Sequence, residues 1–195
     1  RSMEFTGVSQ LTVPSQTRHH LQSWTLMAWV KPAADLTGES VIIRRTVPRF
    51  ISKTDASDLV NYELGLREVG AGVFAPYVRH VGLTNNGTGD ATDLGDPGEA
   101  IVSVNDTNSI NETRGGHQAT GLIVADEWTH LAGSYDAQTH TMSLYIDGEL
   151  SVYRNDVFQP SGMELGTEKE VVDGTALTIG SVRSTSRPPA WACDR

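Results

Sequence analysis

The chain has 195 residues, of which 15 are basic and 24 acidic, for a formal net charge of −9. That length suits one all-β domain with a sizeable core, and no basic cluster offsets the acidic excess, which argues against a nucleic-acid partner. No apolar run nears the about 20 residues that span a bilayer, no basic-then-apolar leader opens the chain, and Cys193, the only cysteine, permits no internal disulfide.

Apolar and polar residues alternate with a period of two, the mark of half-buried strands, in segments separated by turn residues. The pattern predicts strands at 3–6, 10–13, 24–31, 40–45, 61–67, 72–80, 100–104 and 120–124, then 129–135, 141–146 and 149–153, and last 176–182. No stretch keeps a 3.6-residue apolar period, so helices should be few and short. Many strands with few helices call for two packed sheets, because a sheet with an apolar face must be covered. One domain over 1–182 is expected, followed by a loop-like tail at 183–195 whose Pro188-Pro189 pair cannot donate to a ladder.

The stretch from Glu127 to Leu150 carries the most information. Trp128, His130, Ala132 and Ser134 share one parity, Leu131, Gly133 and Tyr135 the other; a polar break follows, and Met142, Leu144 and Ile146 then alternate with Ser143, Tyr145 and Asp147. Asp136 to His140 suits a hairpin loop, and Asp147-Gly148 is a dipeptide favoured where a tight hairpin needs positive φ. Three antiparallel strands in succession are the expected result.

Trp-x-His-hydrophobic-Ala-small-x-Tyr-Asp followed by Leu-Tyr-hydrophobic-Asp-Gly resembles the laminin G-like domains of the concanavalin A-like lectin/glucanase group. Met3 to Val8 is similar to that family's opening strand and turn, Trp24 to Pro32 to its second conserved strand, and Leu177-Thr178-Ile179-Gly180 to a late one. The resemblance implies an antiparallel two-sheet jelly-roll sandwich, and it implies that Trp128, His130 and Tyr135 are core residues of the central meander rather than catalytic ones. It also implies a closing strand of the form Gly-x-Ile-Asp-Glu-Val-x-Ile-Tyr, which residues 181–195 do not contain. Two expectations follow: either the domain is cut before its last strand, or a neighbouring chain or another segment supplies that strand to the open edge.

Residues 83–119 form a polar insertion interrupted only by Ile101-Val102-Ser103-Val104. Insertions of this length inside a compact domain commonly carry function. Asn86, Asn105 and Asn111 each begin a glycosylation acceptor tripeptide there, which together with the resemblance points to an extracellular or cell-surface protein. Asp90, Asp93 and Asp96 are candidate oxygen ligands for calcium, although their spacing is not that of an EF-hand loop. The acids that many relatives use for calcium are replaced at the opening turn by Ser9-Gln10 and absent with the closing strand.

A sugar site needs an aromatic platform and planar polar side chains. Tyr62, Tyr77 and Arg79 are candidates on strands, Asn105 and Asp106 in the insertion. Glycoside hydrolysis would need paired carboxylates, which the related glucanases carry as Glu-x-Asp-x-x-Glu on one strand. No such motif occurs here, and Glu168, Glu170 and Asp173 read as a solvated charge run. The expectation is accordingly a recognition domain that binds glycan or protein and is not an enzyme. The alternatives are a structural module completed by strand addition and a variant glycosidase.

Overall fold

A computed structural model of the chain describes residues 2–5, 9–16, 19, 21, 23–50, 56–83, 97–104, 121–155, 157 and 177–180. Among the described residues eleven strands are present: β1 (Leu11–Val13), β2 (Trp24–Val30), β3 (Glu39–Phe50), β4 (Ala56–Gly70), β5 (Val73–Leu83), β6 (Pro97–Ser103), β7 (Ile123–Val124), β8 (Thr129–Asp136), β9 (Thr141–Ile146), β10 (Glu149–Arg154) and β11 (Leu177–Ile179). The described residues contain no α-helix.

The strands form two antiparallel sheets, one of seven strands in the order β1-β11-β3-β4-β5-β6 with β7 paired to β5, and one of four in the order β10-β9-β8-β2. The fold is the expected all-β jelly-roll sandwich. Residues of alternate parity meet between the sheets, with Leu64, Phe74 and Val78 of the larger sheet against Leu131, Met142 and Leu144 of the smaller, all fully buried. An aromatic cluster plugs one end: Trp24 lies 6.0 Å from Tyr62 and 6.2 Å from Tyr135, and His80 meets Tyr135 edge-on at 4.9 Å.

The sheets approach closely at Gly133. A Cβ there would sit inside the envelope of Val78 Cγ1 on the facing sheet, so only glycine lets β8 and β5 come this near. The predicted Asp147-Gly148 turn is present, with φ of 50° and 87°.

Several predicted elements changed. Residues 2–5 form no strand, although Phe5 packs onto Gly180, and the strand expected at 120–124 shortens to β7. β3 and β4 extend beyond their predicted ends into a long hairpin in which Phe50 pairs with Ala56; Pro48 within it disguised the strand, since proline removes a ladder donor. β6 begins at Pro97, inside the predicted insertion, and pairs along its length with β5. Trp128 and His130 do not enter the core. Their parity faces outward from the smaller sheet, Trp128 being 53% exposed, whereas Thr129, Leu131 and Tyr135 of the other parity face inward. The described neighbour of β1 is β11, and residues 181–195, where a closing strand was missed in the sequence, lie outside the described residues.

Candidate functional site

β4 runs through the middle of the larger sheet, between β3 and β5, and is buried on both faces from Asn61 to Leu66. One parity, Tyr62, Leu64 and Leu66, belongs to the hydrophobic core. The other, Asn61, Glu63, Gly65 and Arg67, lies on the far face of the sheet, where cross-strand register sets Arg44 of β3 and Arg79 of β5 on either side of Glu63. Directly opposed residues of neighbouring strands are close enough to interact, so the register alone brings two cations to one carboxylate.

Glu63 is fully buried and held from three directions. Arg44 Nε is ion-paired to Oε2, Arg79 Nε lies 2.8 Å from Oε1, and the Tyr77 hydroxyl donates to Oε1 at 2.7 Å. The Tyr77 ring reaches Glu63 by lying across Gly65: a Cβ at that glycine would stand 2.5 Å from the ring's Cζ and hydroxyl oxygen. Arg67 and Arg79 approach the same ring, with guanidinium carbons 5.8 and 5.5 Å from its centroid, within reach of the attraction between a cation and an aromatic face. Arg67 also donates twice to Glu39 Oε1, at 2.8 and 2.6 Å.

Burial, and then the adjoining Glu63 carboxylate, push the Tyr77 phenol far above its ordinary value against the opposing pull of Arg79. Tyr77 is therefore a neutral hydrogen-bond donor at any physiological pH. Nearby, Arg45 is buried and donates to Asn61 Oδ1 at 2.6 Å; desolvation lowers its pKa, partly offset by Tyr62. The cationic groups keep some contact with the surface, at 19% exposure for the Arg44 side chain, 15% for Arg79 and 41% for Arg67. In the network itself, Arg44, Arg67 and Arg79 stand against Glu39 and Glu63.

Of the predicted ligand residues, Tyr77 and Arg79 meet in this network. Tyr62 is placed inside the sandwich, 2% exposed, its hydroxyl directed to the His19 carbonyl at 3.3 Å. Asn105 and Asp106, the acidic residues Asp90, Asp93 and Asp96 proposed for calcium, and the sequons at Asn86, Asn105 and Asn111 lie outside the described residues. Among the described residues no group of three or more His, Cys, Asp or Glu could hold a metal ion, and no helix is long and apolar enough to cross a membrane. Glu63, Arg44 and Arg67 were not singled out from the sequence. For Glu63 and Arg67 the signal lies in the polar parity of β4, whose other parity enters the core, whereas Arg44 joins them only through the register of β3.

No family model matches the sequence, and no curated protein matches it. Among solved structures, the chain is similar to a heptameric SAP-like pentraxin from Limulus polyphemus, at 12% identity over 90% of this chain and 61% of that one, with a TM-score of 0.45. It is also similar to the κ-carrageenase of Pseudoalteromonas carrageenovora, at 12% identity over 88% and 51% with a TM-score of 0.41, and to a family 18 polysaccharide lyase, at 13% over 82% and 52% with a TM-score of 0.37. The chain spans about half to three-fifths of the length of these proteins. These neighbours share the jelly-roll sandwich and do not show a laminin G-like assignment in particular. The expectation that the chain is not an enzyme is corrected by the same comparison, because a lyase and a carrageenase stand among the proteins of this architecture that it resembles.

Proposed function

We propose that the protein binds an acidic polysaccharide across the far face of the larger sheet. The observation that carries this reading is the set of guanidinium groups held by buried Glu63 and by Tyr77, with Arg44, Arg67 and Arg79 each still reaching the surface. Arginine forks match the planar geometry of carboxylate and sulfate groups. A buried ion pair contributes little net stability compared with an apolar replacement; its use here is to fix the positions of the cations before ligand arrives, which lowers the ordering cost of binding. That a pentraxin and enzymes named for polysaccharides share the sandwich agrees with a glycan partner in general.

Affinity electrophoresis through gels containing alginate, κ-carrageenan or polygalacturonate, with dextran as the neutral control, tests the reading. Retardation is expected in at least one acidic gel. It should fade at high salt, where exposed charges are screened, and weaken in Arg67→Ala, the most exposed of the three cations. Equal mobility in all four gels overturns the proposal. Reducing ends and unsaturated products measured in the same mixtures assign cleavage to this face or remove it.

A further inference from the structure

The smaller sheet carries a second feature, on the side of the molecule opposite the arginines. Trp29 of β2 and His130 of β8 are direct cross-strand partners, and their rings stand 5.3 Å apart at 55°. The turn between β9 and β10 folds back over the end of β8: the Asp147 amide donates to the His130 carbonyl at 2.8 Å, and the His130 amide donates to Asp147 Oδ1 at 2.9 Å. Trp29, His130, Asp147 and Gly148 enclose an open depression of about 280 Å³. Trp29 is 65% exposed, and open space lies above Gly148.

The geometry points to a binding site for a neutral pyranose unit of a glycan. A sugar ring has one face rich in C–H groups and a rim of hydroxyls, so its site needs an aromatic plate beside a fixed hydrogen-bonding group. Trp29 supplies the plate. Asp147 supplies the group: one carboxylate oxygen is anchored by the His130 amide, which sets the orientation of the other, and an ionised carboxylate has further lone pairs to accept hydroxyl protons. Gly148, with no side chain, leaves the floor open, and the imidazole of His130 adds a nitrogen at the wall.

Charge selects among sugars. Asp147 stands at the site itself, Glu149 is two residues on, and Asp126 and Glu127 precede β8; all four are exposed, against the exposed cation Lys31 two residues after Trp29. An acidic surround repels uronate and sulfate, so this site and the arginine face divide neutral from acidic glycans by opposite electrostatics.

Titration of the whole chain with cellohexaose, mannohexaose and laminarihexaose, followed by tryptophan fluorescence, tests the assignment. At least one of the three should give a saturable change, which Trp29→Ala abolishes and Trp128→Ala retains. Asp147→Asn should weaken binding about tenfold, the loss of a charge-assisted hydrogen bond, and asparagine keeps the turn because Asn-Gly suits it as well as Asp-Gly. The assignment is overturned if no neutral hexasaccharide saturates, if Trp29→Ala binds like the parent, or if light scattering shows a dimer that Trp29→Ala dissolves, which would make the surface an interface between copies. Failure of the acidic gels leaves this result untouched, since Arg67 has no part in it.

Discussion

The Tyr77 hydroxyl donates to the Glu63 carboxylate within a buried charge network, a 2.7 Å bond made on the same oxygen that Arg79 approaches at 2.8 Å. Two strands are tied through it on the face away from the core. Removing the phenolic oxygen in Tyr77→Phe should cost about 1.5–3 kcal/mol, the range for a hydrogen bond to a charged group. Urea denaturation measures it; an unchanged midpoint would mean that Glu63 is satisfied without Tyr77.

Glu63 itself should be far less replaceable. Glu63→Ala leaves Arg44 and Arg79 beside one another with no carboxylate between them, and breaking a buried pair by deleting one partner costs about 3–5 kcal/mol. The substitution should unfold the chain or lower its melting temperature by well over that of Tyr77→Phe, as circular dichroism on heating would show. A loss smaller than that of Tyr77→Phe would contradict the network.

Gly65 sets the position of Tyr77, so Gly65→Ala should act through the ring. The new methyl meets the ring at 2.5 Å and the Ser40 carbonyl oxygen at 2.9 Å, and the backbone contact leaves the tyrosine as the group that must move. Acidic-polysaccharide retardation should fall together with stability, because displacing the ring disturbs both arginines that lie against it. Loss of stability with full retardation would separate the ring from the binding face.

Much of the fold could be read from residues whose physics is local. The alternation in Leu131 to Tyr135 and the Asp147-Gly148 turn report nearest-neighbour geometry, and both occur as expected. The outward position of Trp128 and His130 could not be read that way, since alternation says which residues share a face and not which face is covered. The network around Glu63 was hidden for a related reason. Arg44, Glu63 and Arg79 are far apart in sequence and meet only through the register of three strands, and the two bulges between β3 and β4 shift that register by amounts no local pattern reveals. Tyr77 and Arg79 were visible as a pair because they sit two apart on one strand.

Gly133 and Val78 make a reciprocal steric test of the sandwich. Gly133→Ala should destabilise by about 1–3 kcal/mol, the usual cost of overpacking a filled core, and Val78→Ala should destabilise by opening a cavity. Combined, the two changes offset each other across the sheets, so the double variant should be more stable than the sum of the single losses by a coupling that denaturation can resolve. Strict additivity would mean that the sheets do not approach at this point.

High pH should unfold the protein through its buried tyrosines. Desolvation, then the neighbouring Asp136, pushes Tyr135 up to about 12, while Tyr62 is raised by desolvation and Tyr77 still further by desolvation and Glu63. A phenol whose folded value is raised keeps its proton after the unfolded chain has lost it. Below about pH 10 both states are protonated and the contribution is whole. Above that the unfolded state binds fewer protons, so stability falls as pH rises, with Tyr77 alone contributing a slope of about −1.4 kcal/mol per pH unit. The part due to Tyr135 is lost in full by about pH 12. Phenolate absorbance from Tyr62, Tyr77 and Tyr135 should accordingly appear only together with the loss of the β-sheet signal. Tyr77→Phe should flatten the stability profile between pH 10 and 12, and a profile as steep as that of the parent would show that Tyr77 ionises without unfolding.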